Sequence, residues 1–164
     1  TPCRGNWFDH EISNPTGRGT LRILVDFAHN EPGMLALADA VRHMTADRVV
    51  LLMGQAGDRL DKDIGDLVRA ACKMQPARLL VAELPGYERG RQPFEVQAMI
   101  RRDAVGAGVP ENAVKLFDNP VSATASALEH ARPGDLLVLL ALTQRAETLE
   151  LIHRFINESD VDDG

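Results

Sequence analysis

Leu21-Arg22-Ile23-Leu24-Val25-Asp26-Phe27-Ala28-His29-Asn30-Glu31-Pro32-Gly33 is the stretch that decides the fold. Leu21–Asp26 is a short apolar run rich in branched side chains, which reads as a strand buried on both faces. Pro32 suits the first turn of a helix, where its fixed φ is already helical and its missing N–H would have no partner anyway. That helix places Leu35, Ala38, Val41 and either Leu37 or Met44 on one face.

The same step then repeats along the chain. Val49–Met53, Arg78–Ala82, Ala113–Phe117 and Leu136–Ala141 read as strands. Between and after them, Asp61–Lys73 reads as a helix burying Ile64, Leu67, Val68 and Ala71. Pro93–Val105 buries Val96, Met99 and Ile100. Pro120–His130 buries Val121, Thr124, Ala125 and Leu128, and Gln144–Asn157 buries Leu149, Ile152 and Phe155 or Ile156. Alternation of this kind predicts a Rossmann-like three-layer α/β domain with a mainly parallel sheet of five or six strands and right-handed crossovers.

Residues 1–20 are punctuated by Gly5, Pro15, Gly17 and Gly19 and read as an irregular N-terminal arm. The domain is expected over 21–157, with a flexible acidic tail over 158–164. A length of 164 residues suits this plan of one domain with a short tail.

Net charge of −6 and the lack of any Lys/Arg-rich run argue against nucleic acid as a partner. The longest apolar stretch, Leu136–Leu142, is too short to cross a bilayer, and the N-terminus lacks the pattern of a signal peptide, so a cytoplasmic location is expected. Cys3 and Cys72 have no CxxC spacing and no His cluster nearby, so neither a disulfide framework nor a metal site is read; Cys72 falls on the apolar side of its helix. His10, His43, His130 and His153 lack partners at ligand spacing and read as structural or exposed.

In open α/β sheets, ligands sit beyond the carboxyl ends of the strands. That directs attention to the loops Asp26–Glu31, Gly54–Asp61, Glu83–Arg91, Asp118–Pro120 and Thr143–Arg145. Asp26, at a strand's end, can accept hydrogen bonds from the two hydroxyls of a ribose. His29 and Asn30 stand at a helix start, where unpaired N–H groups and the dipole favour anions. The self-contained alternative is that Asp26 takes a neighbouring backbone N–H and Asn30 caps the helix. In the second loop Gly54 and Gly57 permit close backbone approach beside Asp58 and Arg59, or simply form a turn before an Asp61 cap. In the third, Arg89 and Arg91 flank Gly90, and guanidinium forks suit carboxylate or phosphate, unless both are merely solvated. The sequence contains no Walker A loop.

Taken together, the loops resemble a known family. Val25–Asn30 is similar to the D-[YFG]-A-H-[NT]-P element of Mur ligases and folylpolyglutamate synthases, and Gly54–Asp61 to their G-x-x-G-D-R-x-D element. Arg89-Gly90-Arg91, the turn Ala131–Asp135 and the helix Glu147–Ile152 look most like the C-terminal region of cyanophycin synthetase. Pro2–Asn6 is similar to the linker that joins the preceding domain in that family.

The resemblance implies the C-terminal domain of an ATP-dependent carboxylate–amine ligase working through an acyl phosphate. A central P-loop domain of the same polypeptide would hold most of the ATP and the Mg²⁺. By analogy Asp26 would hold the ATP ribose, and His29 and Asn30 would lie near the phosphates. Asp58 and Arg59 would line the cleft, and Arg89 and Arg91 would receive a carboxylate of the amino-acid substrate. The isolated piece is expected to be inactive, and an oligomer is left open.

The sequence departs from the family in places. Phe27 replaces the commoner Tyr, the proline falls one position late at Pro32, and the D-N-P-R element of tripeptide-forming enzymes is missing. That absence argues against adding lysine or diaminopimelate to peptidoglycan precursors. The competing readings are a free-standing nucleotide- or amino-acid-binding module without catalysis, and a folylpolyglutamate synthase-type domain.

Overall fold

A computed structural model describes residues 5–162, so Pro2, Cys3 and Arg4 of the linker reading lie outside the described residues. Six strands form one sheet in the spatial order β1-β2-β6-β3-β4-β5. They are β1 (Asn6–Asn14), β2 (Gly17–Val25), β3 (Arg48–Met53), β4 (Arg78–Ala82), β5 (Val114–Phe117) and β6 (Asp135–Leu139). Only β1 runs antiparallel to its neighbour; the remaining pairings are parallel. The α/β architecture and the mainly parallel sheet are therefore as the strand–helix alternation implies.

Five helices cover the sheet: α1 (Glu31–Arg42), α2 (Asp61–Cys72), α3 (Glu95–Gly106), α4 (Pro120–Glu129) and α5 (Arg145–Asp162). Period-2 alternation in the strands sorts the core into two layers. Leu24, Leu51, Val81 and Val138 pack with Met34, Ile64 and Ile100 of α1–α3. Ile23, Leu52, Leu80 and Leu137 pack with Ala123 of α4 and Ile152 of α5 on the other face. β6 lies between two parallel strands beneath both helical layers, which is why all five of its residues, Asp135 included, are buried.

Three expectations need correction. Residues 6–20 are not irregular: they form β1 and the start of β2, a hairpin in which Asn14 pairs with Gly17 across the turn. Phe8, His10 and Ile12 alternate toward α5, and this period-2 signal is real despite the glycines nearby. His10 is consequently a buried sheet residue rather than part of a linker. The last helix, expected over Gln144–Asn157, is also longer than read, because α5 runs on to Asp162. In α4 the buried face is Pro120, Ala123, Thr124, Ala127 and Leu128, while Ala125 is exposed and Val121 only partly covered. Alanine, serine and threonine dominate that helix, so its hydrophobic stripe is too weak to fix its rotation.

Cys72 packs against the first core layer, and burial pushes its thiol up to about 11. Among the described residues no helix is long and apolar enough to cross a membrane.

Candidate functional site at the carboxyl edge

All five loops singled out from the sequence follow the carboxyl ends of β2, β3, β4, β5 and β6, so the parallel sheet brings them to one edge. Backbone conformation is also unusual here. Arg89, Phe94 and Gln144 adopt positive φ of 52°, 65° and 55°. Non-glycine residues hold that conformation at a cost of about 1–3 kcal/mol each, and such strain collects at functional edges.

Asp26 is anchored by its backbone N–H to Leu139 O of the neighbouring β6 at 3.2 Å. Its Oδ1 accepts the N–H groups of Phe27 at 2.7 Å and Ala28 at 3.0 Å. One carboxylate oxygen thus shapes the loop, while Oδ2 accepts no hydrogen bond among the described residues. His29 donates from Nδ1 to Phe27 O at 3.1 Å, which leaves Nε2 unpaired on an exposed ring.

Asn30 is the N-cap of α1 and accepts from Gly33 N at 2.9 Å. The start of α1 is largely self-satisfied, contrary to the expectation of several open donors. Pro32 has no N–H, Gly33 gives its own to Asn30 Oδ1, and Met34 donates to Asn30 O at 2.9 Å. Only the N–H of Glu31 remains, beside that residue's own negative side chain. The open polar group at this corner is therefore His29 Nε2 rather than the helix end.

The second and third loops are bound together. Gly57 N donates to Tyr87 O at 2.9 Å, and a Cβ at Gly57 would stand 1.9 Å from Glu88 O, so only glycine fits. Arg91 is the staple between them. Its Nε reaches Gly57 O at 2.9 Å, Nη2 reaches Arg59 O at 2.6 Å and Asp61 Oδ1 at 2.8 Å, and Nη1 reaches Glu95 Oε2 at 2.9 Å and Met99 Sδ at 3.5 Å. Glu95 foremost, then Asp61, holds this guanidinium above its ordinary pKa. A guanidinium has five N–H groups and all five are engaged. Arg91 is thus engaged within the chain, on groups of both loops and of α3.

Arg89 differs from Arg91. It is exposed, its guanidinium lies 5.1 Å from the Tyr87 ring centroid, and it makes no ion pair among the described residues. Asp58 is exposed, and Arg59 is half-buried with its backbone carbonyl serving Arg91.

Four residues of the edge escape a reading of the sequence. Gln55, buried, donates from Nε2 to His29 O at 3.3 Å and so joins the first two loops. Arg145 lies 3.7 Å over the Phe27 ring and covers the Asp26 loop. Gln144 accepts from Val121 N at 3.2 Å, linking the last loop to α4. Glu83 is 7% exposed; its Oε1 accepts Leu84 N at 3.1 Å, whereas Oε2 is buried without a partner. The only signal these residues share is their place in the loops that follow β3, β4 and β6.

Comparison with known proteins bears on this edge. Residues 12–141 match the family described as Mur ligase, glutamate ligase domain. The chain is 27% identical over 117 residues to the UDP-N-acetylmuramoyl-L-alanyl-D-glutamate–L-lysine ligase of Staphylococcus aureus (strain COL), covering 71% of this chain and 22% of that protein. It thus spans about a fifth of the length of the curated relatives it matches. Among solved structures, a UDP-N-acetylmuramoyl-L-alanyl-D-glutamate–2,6-diaminopimelate ligase superposes with a TM-score of 0.66 at 14% identity, over 93% of this chain and 31% of that one. E. coli FolC in complex with ADP superposes with a TM-score of 0.61 at 20% identity, over 81% of this chain and 29% of that one. These two likenesses establish the fold.

Proposed function

The chain belongs to the Mur ligase, glutamate ligase domain family, and from that membership we propose that it closes the active site of an ATP-dependent ligase joining an amino acid to a carboxylate. In this reading a P-loop domain of the same polypeptide supplies most of the nucleotide site, and the carboxylate is activated as an acyl phosphate. Asp26 Oδ2 accepts from the ATP ribose and His29 Nε2 meets the phosphates. Arg145 holds Phe27 in place beneath them, Asp58 and Arg59 line the closed cleft, and Arg89 takes the carboxylate of the incoming amino acid. The ADP bound by FolC supports a nucleotide as a ligand of such a ligase.

The observation that carries the proposal is the division of labour in Asp26. Its Oδ1 is spent on the loop while Oδ2 accepts no hydrogen bond among the described residues, at the carboxyl edge where ligands of such sheets bind. Mg²⁺ does not fit among the described residues, which contain no cluster of three or more His, Cys, Asp or Glu able to hold a metal ion. In this reading its ligands come from the P-loop domain of the same polypeptide. The branch nearest in its loops is the cyanophycin synthetase-like one, with the carboxylate contact resting on Arg89 alone now that Arg91 is committed elsewhere. The absence of a D-N-P-R element keeps the acceptor apart from peptidoglycan tripeptide synthesis.

The test uses two substitutions in the full-length ligase. Asp26→Asn keeps an oxygen for the Phe27 and Ala28 N–H groups but removes the charged acceptor. The ATP KM should rise roughly ten- to a hundredfold, the worth of one hydrogen bond to a charged group, with the unfolding temperature unchanged. Asp26→Ala should show the same KM effect plus lower stability. An ATP KM unaltered in Asp26→Asn refutes the ribose assignment.

A further inference from the structure

The amino edge of the sheet, opposite the loops just described, holds a cluster of arginines that the ligase reading does not use. Arg48 opens β3, Arg78 opens β4 and Asp135 opens β6, and these strands are adjacent at the centre of the sheet. Arg48 stands opposite Asp135 in register and binds it bidentately, Nε to Oδ1 at 3.0 Å and Nη2 to Oδ2 at 2.7 Å. Asp135 also accepts the backbone N–H of Arg132 at 2.9 Å, so three hydrogen bonds converge on its carboxylate. Arg78 and Arg132 make no side-chain hydrogen bond or ion pair among the described residues. Three guanidiniums, Arg48, Arg78 and Arg132, therefore face two carboxylates, Asp135 and the neighbouring Asp47, on a chain whose net charge is −6.

The uncompensated charge is felt within the cluster. The Arg78 guanidinium is held below its ordinary pKa, first by burial and then by the positive charges of Arg48 and Arg132, with Asp135 opposing. Arg48 and Arg132, though not Arg78, border a cavity of about 510 Å³ between the turn Arg132–Asp135 and the tip of the β1–β2 hairpin. Arg18, Arg48 and Arg132 line it, with Asp47 and Asp135 as its acids. That volume lies within the range of small-molecule sites. Guanidinium forks match oxyanions bidentately, and paired positive charges favour a multiply charged one.

We propose that this amino-edge cavity binds a small phosphate-bearing polyanion, held by the Arg132 fork and offsetting the charge of Arg78. The site lies at the end of the sheet away from Asp26 and Arg89, so it stands or falls independently of the ligase reading.

Thermal unfolding of the 164-residue chain in sodium pyrophosphate tests the proposal, against sodium chloride of equal ionic strength and against citrate. Pyrophosphate should give a saturable rise in Tm of about 3 °C or more beyond the salt control. The rise should vanish in Arg132→Gln, shrink in Arg78→Gln and persist in Arg89→Gln. Without the anion neither Arg132→Gln nor Arg78→Gln should lower Tm, since each removes repulsion and breaks no ion pair. A rise no larger than that in sodium chloride overturns the site. So does one that survives Arg132→Gln, or one lost in Arg89→Gln. An equal response to citrate overturns the assignment to phosphate.

Discussion

Replacing Arg91 with Gln removes hydrogen bonds to two backbone carbonyls, Gly57 O and Arg59 O, and two carboxylate contacts, from a side chain that is 17% exposed. Asp61 is itself well exposed, so that pair adds little; the carbonyls left without a donor set the cost. Arg91→Gln should therefore lower stability by about 2–3 kcal/mol, measured by urea unfolding. Arg89→Gln, touching only the Tyr87 ring, should stay within about 0.5 kcal/mol and instead raise the KM for the amino acid in the full ligase. The opposite pattern, with Arg91→Gln stable and defective in substrate binding, would restore the receptor role to Arg91. The Arg-Gly-Arg triplet shows in the sequence that two forks flank a tight turn. It cannot show which one is spent, because Gly57 and Arg59 lie 34 and 32 residues away and meet Arg91 only through the fold.

At the scale of elements, legibility followed the strength of the local pattern. The central strands and α1–α3 carry continuous apolar runs or clear 3.6-residue stripes, and their extents agree with the structure to within about two residues. The β1–β2 hairpin is obscured because Gly17 and Gly19 break the apolar run that would announce it, and because β1, an edge strand, is exposed at every other position. Two helix starts carry the cap chemistry that an Asn before a proline-bearing first turn announces, Asn30 at α1 and Asn119 at α4, whereas α2 starts from Leu60 and α3 from Phe94 without a side-chain cap, so the expected Asp61 cap is not made. Asn119 precedes Pro120 and accepts from Ser122 N at 2.9 Å. Asn119→Ala should cost about 1 kcal/mol, and Asn119→Asp should recover most of it, in equilibrium unfolding. A null effect for Asn119→Ala would mean that Pro120 and the buried face of α4 set the helix start without the cap.

For the molecule as a whole, the carboxyl edge presents Asp26, His29 and Arg89 on one open rim, with nothing among the described residues to enclose a triphosphate. The sequence has no Walker A loop, α1 has a single free N–H at its start, and no acidic cluster among the described residues fits a metal ion. Each nucleotide contact available is an exposed, water-competed hydrogen bond, worth about 0.5–1.5 kcal/mol, or up to about 3 kcal/mol where a charge is involved. Two or three such contacts must also offset the cost of immobilising the ligand. The 164-residue chain alone should therefore bind ATP no tighter than the millimolar range, about 4 kcal/mol, and should release no phosphate from it. Isothermal titration with ATP, followed by a phosphate-release assay with and without amino acids, measures both. Amino-acid-dependent phosphate release by the chain alone would show that a complete catalytic site exists within these residues. Weak binding without turnover, converted to turnover in the longer ligase, is the outcome that a shared active site requires.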